Sequence, residues 1–354
     1  MLVCVPGKGY VFLSMSERKL HKVNPHIHKG RFYNTAEERH WSYVVPSLDI
    51  IAELYWKTFK RKSATMQHWV TPTIPPVRSQ DPLITWIGHS TFLIQVAGVN
   101  IITDPIFGDL TFLFRRLMAP GVALPHIPPI DYVIISHNHP DHMDAAALHF
   151  FKRHSGIRFL VPLGNRAWFT KRGFERVTEY GWWEEETFIN HHPCTFSFLP
   201  ARHWSQRGLF DFNKTLWGSW MIQVGGYSFY FAGDTAYSPH FKAINKEFPS
   251  ISCALLPIGP CEPYDRMRQT HMNAEDAGQA FIDLQAHSFI PMHWGTYSFG
   301  IDHHESPFER LSTWWGLHQS DSEKQLVFLK AGQPYTPGTY GAPSAPQPFI
   351  ETLL

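Results

Sequence analysis

Cysteine is scarce in this chain of 354 residues. It has four, Cys4, Cys194, Cys253 and Cys261, with no CxxC pair. That is too few and too scattered for a disulfide framework, and a reduced, cytoplasmic setting is the default expectation. Long apolar runs are missing as well. No uncharged apolar stretch reaches the length of about 18 residues that a membrane-crossing helix needs. The opening MLVCVPGKGYVF lacks the basic and long apolar regions of a signal peptide, although peripheral contact with a membrane stays open. Charge is sparse too: 17% of residues are charged, against about 25% in ordinary domains. Lys and Arg number 31 and Asp and Glu 30, for a net charge of +1. Without a bulk positive field or a basic arm, nucleic acid is excluded as a partner on charge grounds. No fixed-period repeat and no low-complexity tract occurs.

Aromatics and histidines are plentiful. Phe and Trp number 27 and 13, and aromatics make up 15% of the chain, which argues for an ordered core rather than disorder. Residues 1–80 read as an irregular, basic and aromatic extension. A helix is expected over DIIAELYWKTFK (49–60), followed by a proline-rich linker, TPTIPPVRSQDP (71–82). Regular structure is expected from 81 to 354. LITWIG (83–88), TFLIQVAGVNIITD (91–104, turning at Ala97-Gly98), DYVIIS (131–136), IRFLVP (157–162), TLWGSWMIQV (215–224), YSFYFAGD (227–234), CALLPIG (253–259), SFIPMHWG (288–295) and QLVFLK (325–330) read as strands. Residues 143–154, 165–173 and 273–285 read as helices, with Asp144 and Asn273 at the first and third N-termini. Strands in both halves alternating with helices point to an α/β architecture of two packed sheets with helices outside.

The chemistry concentrates at strand ends. HNHPDH (137–142) puts three imidazoles and a carboxylate into six residues, directly after the apolar run DYVIIS. Residues i and i+2 of an extended loop point the same way, so His137 and His139 can share one metal ion. Asp141 and His142 then turn toward a second. Imidazole with carboxylate suits zinc, iron or manganese. Six residues cannot complete two sites. His203 (in RHWSQRG), Asp234 (in GDT) and His293 (in HWGTY) each leave a strand and are the candidates to complete them.

These residues in this order, HxHxDH, a lone His, GDT and a final His, resemble the metal signature of the metallo-β-lactamase fold superfamily. WIGHSTFLIQ, TDPIFGD, PPIDYVIISHNHPDHMD, RHWSQRGLFDFNKTLWGSW, FAGDTAYS, LLPIGPCEP, THMNAEDA and PMHWGTYS are similar to the N-acylphosphatidylethanolamine-hydrolysing phospholipase D family, over roughly residues 80–300. The resemblance implies an αββα sandwich of two mixed sheets flanked by helices, holding two Zn2+ ions per chain, with Mn2+ or Fe2+ as alternatives. It assigns His137, His139 and His203 to one ion, Asp141, His142 and His293 to the other, and Asp234 as the bridge between them. Pro140 and Met143 stand where the family often has an aromatic residue and Leu, a departure at the rim and not in the ligand set.

Asp141 and His271 are read as catalytic. His271 lies just ahead of the helix that starts at Asn273, and the matching family histidine lies by the substrate phosphate, as a proton donor or phosphate-binding group. His89 either orients a ligand from behind or is a satisfied core histidine, and Asp104 can likewise orient a ligand. Asp302-His303-His304 reads as a solvated loop.

DPIFGDLTFLFRRLMAPGVALP (104–125) reads either as core helix and cover or as a lipid-facing flap. In the second reading Leu113 and Phe114 meet acyl chains, and Arg115 and Arg116 meet headgroup phosphates. The expected activity is a zinc-dependent, phospholipase D-type phosphodiesterase. It would convert N-acylphosphatidylethanolamine-like phospholipid to N-acylethanolamine and phosphatidic acid, acting as a peripheral membrane protein. The alternatives are another hydrolase of the same fold, a soluble phosphodiesterase or lactonase, and a non-catalytic metal-binding protein. The family resemblance leaves a homodimer open.

Overall fold

In the computed structural model, residues 2–5, 9–12, 24–40, 66–111, 114–190, 192–319 and 323–338 are described. The helix expected at 49–60 and the flap residue Leu113 lie outside them. Two seven-stranded sheets face one another. The first is built from β1 (Leu83–Gly88), β2 (Thr91–Val96), β3 (Val99–Thr103), β4 (Tyr132–Ile134), β5 (Arg158–Pro162) and β6 (Val177–Tyr180). The second comprises β7 (Glu184–Asn190), β8 (His192–Leu199), β9 (Ser219–Val224), β10 (Tyr227–Phe231), β11 (Cys253–Pro257), β12 (Ser288–Met292) and β13 (Gln325–Leu326). The chain then returns to the first sheet, where β14 (Pro334–Tyr335) pairs antiparallel with β1. The orders are β6-β5-β4-β3-β2-β1-β14 and β7-β8-β9-β10-β11-β12-β13. Each sheet is mixed. β3 to β6 run parallel, as do β10 to β13, and the remaining pairs are antiparallel.

The period of two along each strand sorts residues between two cores. Ile84, Trp86, Phe92, Ile94, Ile101 and Ile134 point between the sheets. Their neighbours Ile87, Leu93, Ile102, Val133 and Ile135 point outward, onto α1 (Ala145–Lys152) and α2 (Arg166–Thr170). Across the inner core Tyr132 of β4 meets Phe196 of β8 at 4.8 Å, and Tyr180 of β6 meets Trp220 of β9 at 5.2 Å between ring centroids. These pairs lock the sheets together at aromatic contacts worth about 0.5–1.5 kcal/mol each beyond buried area. On the other flank lie α3 (His240–Glu247), the short α4 (Tyr264–Met267), α5 (Ala274–Leu284) and α6 (Ser306–His318). α5 buries Ala277, Ala280, Phe281 and Leu284. The architecture is the αββα sandwich.

Local signals explain the boundaries. Asp144 caps α1 by accepting the Ala146 and Ala147 amides at 3.2 and 3.0 Å, and Asn273 caps α5 by accepting the Asp276 amide at 2.7 Å. Gly225 and Gly226, both at positive φ (59° and 83°), form the two-residue turn between β9 and β10. Several strands are shorter than the apolar runs that announced them. β4 stops at Ile134 and β9 begins only at Ser219. QLVFLK gives a strand of two residues and is not the last one, because β14 follows it. Segment 71–82 forms no helix or strand, and its backbone is tied to the body through Thr71 to Ala331 O (2.8 Å) and Thr73 to Gly121 O (3.0 Å). Before it, the hairpin His26–His28 and Arg31–Tyr33 reaches the second sheet's loops.

Candidate metal centre

One rim of the sandwich gathers the ends of both sheets. The turn between β1 and β2 brings His89, the end of β3 brings Asp104, and the loop after β4 brings His137, His139, Asp141 and His142. From the second sheet, His203 follows β8, Asp234 follows β10 and His293 follows β12. All seven residues assigned as ligands from the sequence converge here. The ligand atoms of His137, His139 and His203 lie within 4.8 Å of one another, as do those of His89, Asp141, His142 and His293. Asp234 lies among them: its Oδ2 is 3.2 Å from both His142 Nε2 and His293 Nε2, 3.8 Å from His203 Nε2 and 4.0 Å from His137 Nε2.

The donor set fits divalent ions. His203 Nδ1 faces the Thr270 carbonyl at 2.8 Å and His293 Nδ1 the Gly259 carbonyl at 2.9 Å. A carbonyl only accepts, so each Nδ1 carries the proton and each Nε2 turns a bare lone pair toward the centre. His142 Nδ1 meets Asp104 Oδ2 at 2.8 Å, while the Ser136 amide and hydroxyl also donate to Asp104. With three donors around it Asp104 is an acceptor, and His142 Nε2 is bare as well. His142 Nε2, His293 Nε2 and Asp234 Oδ1 are buried and have no hydrogen-bond partner, which costs free energy unless a cation satisfies them. Tetrahedral zinc with N and O ligands at about 2.0–2.1 Å separates those atoms by about 3.3 Å. The 3.3 Å between His139 Nδ1 and His203 Nε2 matches that, and His137 Nε2 to His139 Nδ1 is tighter at 2.8 Å.

The electrostatics point the same way. Burial is the main cause that lowers His203 to about 3, His139 to about 4 and His137 well below its ordinary value. Neutral imidazoles are what a metal needs. Burial would raise Asp141 and Asp234, but the surrounding imidazoles outweigh it and hold both well below the usual carboxylate range. His142 runs the other way. Burial lowers it, yet Asp234, Asp141 and Asp104 together raise it well above 6.5. The carboxylates make the centre an anionic field that draws positive charge.

Behind the ligands, His89 Nε2 lies 3.0 Å from Asp141 Oδ2, and burial lowers His89 to about 3. His89, Asp104 and His293 all sit at positive φ (56°, 33° and 61°), a conformation disfavoured outside glycine and here confined to the rim by surrounding contacts. His271 is closer in than its sequence position implied. Its Nδ1, buried and unpartnered, is 3.7 Å from Asp234 Oδ2.

The described residues of the flap between 104 and 123 form no helix, and the segment divides at its arginines. Arg115 is exposed. Arg116, expected at the headgroup, instead turns inward. It donates to the carbonyls of Met118 and Ile106 at 3.1 Å each, lies 5.5 Å from the Tyr297 ring centroid, and its buried guanidinium leaves no reach to a substrate. Phe114 is half-buried with its ring 5.7 Å from Phe299, which in turn lies 5.7 Å from His89 and 6.0 Å from His293. These two rings cover the His293 side. The Asp302-His303-His304 loop departs from its solvated reading: His304 is buried, and Asp302 accepts the Cys261 and Glu262 amides. Cys194, Cys253 and Cys261 are buried and free, and belong to none of the groups placed to hold a metal.

Sequence reading missed two features. Trp204 presents its ring 4.3 Å from that of His139. Asn34, from the N-terminal extension, donates from Nδ2 to His203 O at 3.0 Å and accepts His203 N at 3.2 Å. The tryptophan's adjacency to His203 was a usable signal. Nothing local marks Asn34.

A model of the β-lactamase superfamily domain matches residues 99–294. Over 263 residues the chain is 32% identical to N-acyl-phosphatidylethanolamine-hydrolyzing phospholipase D 1 of Caenorhabditis elegans, covering 70% of this chain and 74% of that protein. It is 33% identical over 246 residues to the mitochondrial N-acyl-phosphatidylethanolamine-hydrolyzing phospholipase D of Saccharomyces cerevisiae, covering 66% of this chain and 52% of the relative, so it spans about half of that protein. Among solved structures Igni18, a metallo hydrolase of Ignicoccus hospitalis, shares the fold with a TM-score of 0.56 and 23% identity, over 73% of this chain and 99% of that one. Fold, donor set and kinship agree: the chain belongs to the metallo-β-lactamase superfamily of metal-dependent hydrolases, on the branch of the N-acylphosphatidylethanolamine-hydrolysing phospholipases D.

Proposed function

We propose that this hydrolase is a phospholipase D-type phosphodiesterase that cleaves N-acylphosphatidylethanolamine-like lipids to phosphatidic acid and an N-acylethanolamine. The observation that carries the reading is a cysteine-free His/Asp centre with Asp234 between two groups of imidazoles, on a chain 32% identical to a worm enzyme of that printed activity. Two zinc ions, held by His137, His139 and His203 and by Asp141, His142 and His293 with Asp234 between, would supply Lewis acidity and an activated water.

The chain's own residues do the rest. The carbonyls of Thr270 and Gly259, with Asp104, hold three ligand imidazoles in one tautomer. His89 holds Asp141 through Nε2. Phe114 and Phe299 shield the His293 side from water. His271, lowered to about 3 chiefly by burial, is neutral at pH 7, so it serves as a hydrogen-bonding group for a phosphoryl oxygen rather than as a standing acid. In the balanced reaction the water oxygen bonds to phosphorus, the P–O bond to the N-acylethanolamine breaks, and the departing oxygen takes up a proton.

The test is a panel of N-acylphosphatidylethanolamine, phosphatidylcholine, a soluble aryl phosphodiester and a lactone, given to the zinc-loaded protein. Preferential release of N-acylethanolamine supports the reading. Turnover of the lactone or the soluble diester without the lipid overturns it.

A further inference from the structure

We infer that the loop leaving metal-ligand candidate His203 is a docking surface for an anionic lipid bilayer, an inference that rests on the lipid reading of the site. Leu209 and Phe210, adjacent in sequence, are 86% and 82% exposed, the two highest values among the exposed large apolar residues described. Solvent exposure on that scale at two neighbouring large side chains is costly and calls for an occupant.

The loop that carries them is braced rather than slack. The Asp211 carboxylate accepts the amides of Arg207 and Gly208 at 3.1 and 2.8 Å, closing the turn beneath the two side chains. At its base buried Asn213 bonds Ser205 twice, N to O at 2.7 Å and Oδ1 to the Ser205 amide at 3.1 Å. From the side, the N-terminal hairpin leans on it: the Phe32 amide donates to Asn213 O at 2.8 Å, and Arg31 Nη1 donates to Phe212 O. The hairpin adds a third protruding apolar side chain, Ile27, 61% exposed. Two segments far apart in sequence, tied together through Arg31, Phe32, Phe212 and Asn213, therefore each expose large apolar side chains.

Charge identifies the occupant. The whole chain is nearly neutral at +1, yet the hairpin (24–33), the loop (204–217) and α2 with its flanks (165–173) contain a single carboxylate, Asp211, which the turn consumes. The same segments expose Lys29, Lys171, Arg172 and Lys214. Arg207 joins loop to helix by lying 4.9 Å from the Trp168 ring, which Arg172 also approaches at 4.1 Å, and by donating to Asn138 O at 3.3 Å in the metal loop. Apolar side chains projecting from a cationic collar match an interface of acyl chains beneath anionic headgroups. Docked this way, the bilayer lies at the mouth where His203 and Trp204 emerge.

The experiment is co-sedimentation of the full chain with vesicles of phosphatidylcholine, with and without phosphatidylserine. Binding to the serine-containing vesicles that weakens with salt is expected. Leu209→Ser with Phe210→Ser should lower the partition by about tenfold, with circular dichroism and metal content like the parent's. Lys171→Glu with Lys214→Glu should lower it on the anionic vesicles alone. A parent with no preference for anionic vesicles, or a double serine variant that partitions like the parent, overturns the inference. So does a parent dimer that the serine variant dissolves while partition is unchanged. Hydrolysis of detergent-dispersed lipid, measured alongside, separates the two readings: no turnover with the expected partition pattern defeats the phosphodiesterase and leaves the docking surface standing.

Discussion

The carboxamide of Asn34 pairs with both backbone groups of His203, accepting its N–H at 3.2 Å and donating to its carbonyl at 3.0 Å. The same Oδ1 takes the Trp217 indole N–H at 3.1 Å, and Glu38 accepts from Asn34 Nδ2 at 2.7 Å and from Arg202 at 2.9 Å. An amide side chain thus imitates a neighbouring strand at the one place where β8 has ended and a ligand must be held. Asn34 and Glu38, from the N-terminal extension, thus brace the backbone around a metal-ligand candidate.

Replacing Asn34 with Ala strands the His203 amide and carbonyl in a half-buried place, while the Trp217 N–H keeps the Ala201 carbonyl. A loss of about 2–4 kcal/mol in stability is expected, with metal affinity lowered about tenfold to a hundredfold through the misplaced ligand. Asn34→Asp keeps the acceptor but sets a carboxylate against the His203 carbonyl, so it should not restore affinity. Chelator competition and thermal melting check this. A variant equal to the parent in both removes the role.

Asp234 Oδ2 lies within 4.0 Å of five imidazoles. Asp234→Asn keeps the shape and removes a carboxylate charge that would offset bound cations. At least one metal ion per chain should be lost, and turnover should fall by two orders of magnitude or more. Elemental analysis of the purified variant decides it, since retention of the parent's metal content contradicts a bridging place.

Acid should loosen the metal-free protein in a defined window. Folded His203 and His139 take a proton only near pH 3 and 4, whereas unfolded histidine does so near 6.5. Below pH 6.5 the unfolded chain binds protons the folded chain refuses, so stability present at pH 7 is lost as pH falls toward 4. His89, at about 3, adds in the same sense. His142, raised, opposes it, because its contribution is lost as pH rises through its folded value. Denaturant midpoints of the metal-free chain should fall between pH 6.5 and 4. A flat profile would mean the cluster titrates as it does when unfolded.

The histidine centre was legible because its grammar is local. A six-residue loop and three residues at the ends of apolar strands need only the fold to meet. Arg116 was not legible, since its partners are the Ile106 and Met118 carbonyls and Tyr297, and only the folded flap puts these around it. β7 escaped notice for a different reason. It is an edge strand whose Glu184, Glu185, Thr187 and Ile189 face solvent while Phe188 is buried, so it shows little apolar signal. α6 was hidden by a weak apolar stripe, burying only Pro307 and Leu311 fully. It is held by Arg310, which forks onto Glu275 of α5 at 2.7 and 2.8 Å.

The two flap arginines should separate cleanly. Arg116→Ala removes donors from two carbonyls and opens space against Gly88, whose backbone approaches the guanidinium so closely that a Cβ there would sit 2.4 Å from Nη2. A loss of about 2–4 kcal/mol is expected, seen as a lower melting temperature. Arg115→Ala, at an exposed position, should stay within about 0.5 kcal/mol of the parent and change only the KM for anionic lipid. If Arg116→Ala melts like the parent and raises KM instead, its side chain swings outward in solution and the headgroup assignment returns.

His271 gives the sharpest division between holding metal and handling substrate. Its Nδ1 is buried, unpartnered and 3.7 Å from Asp234, yet Asp234 is already closer to His142 and His293, each at 3.2 Å. That range is shared with His203 at 3.8 Å and His137 at 4.0 Å, but the seven assigned donors fill both ligand sets, which leaves His271 for a phosphoryl oxygen. His271→Ala should then keep the parent's metal content and lower kcat about a hundredfold or more, within the range of a lost acid–base or hydrogen-bonding group. His271→Gln, which restores a donor at similar reach, should recover part of that. Loss of zinc in the alanine variant would place His271 among the ligands and take it out of the chemistry.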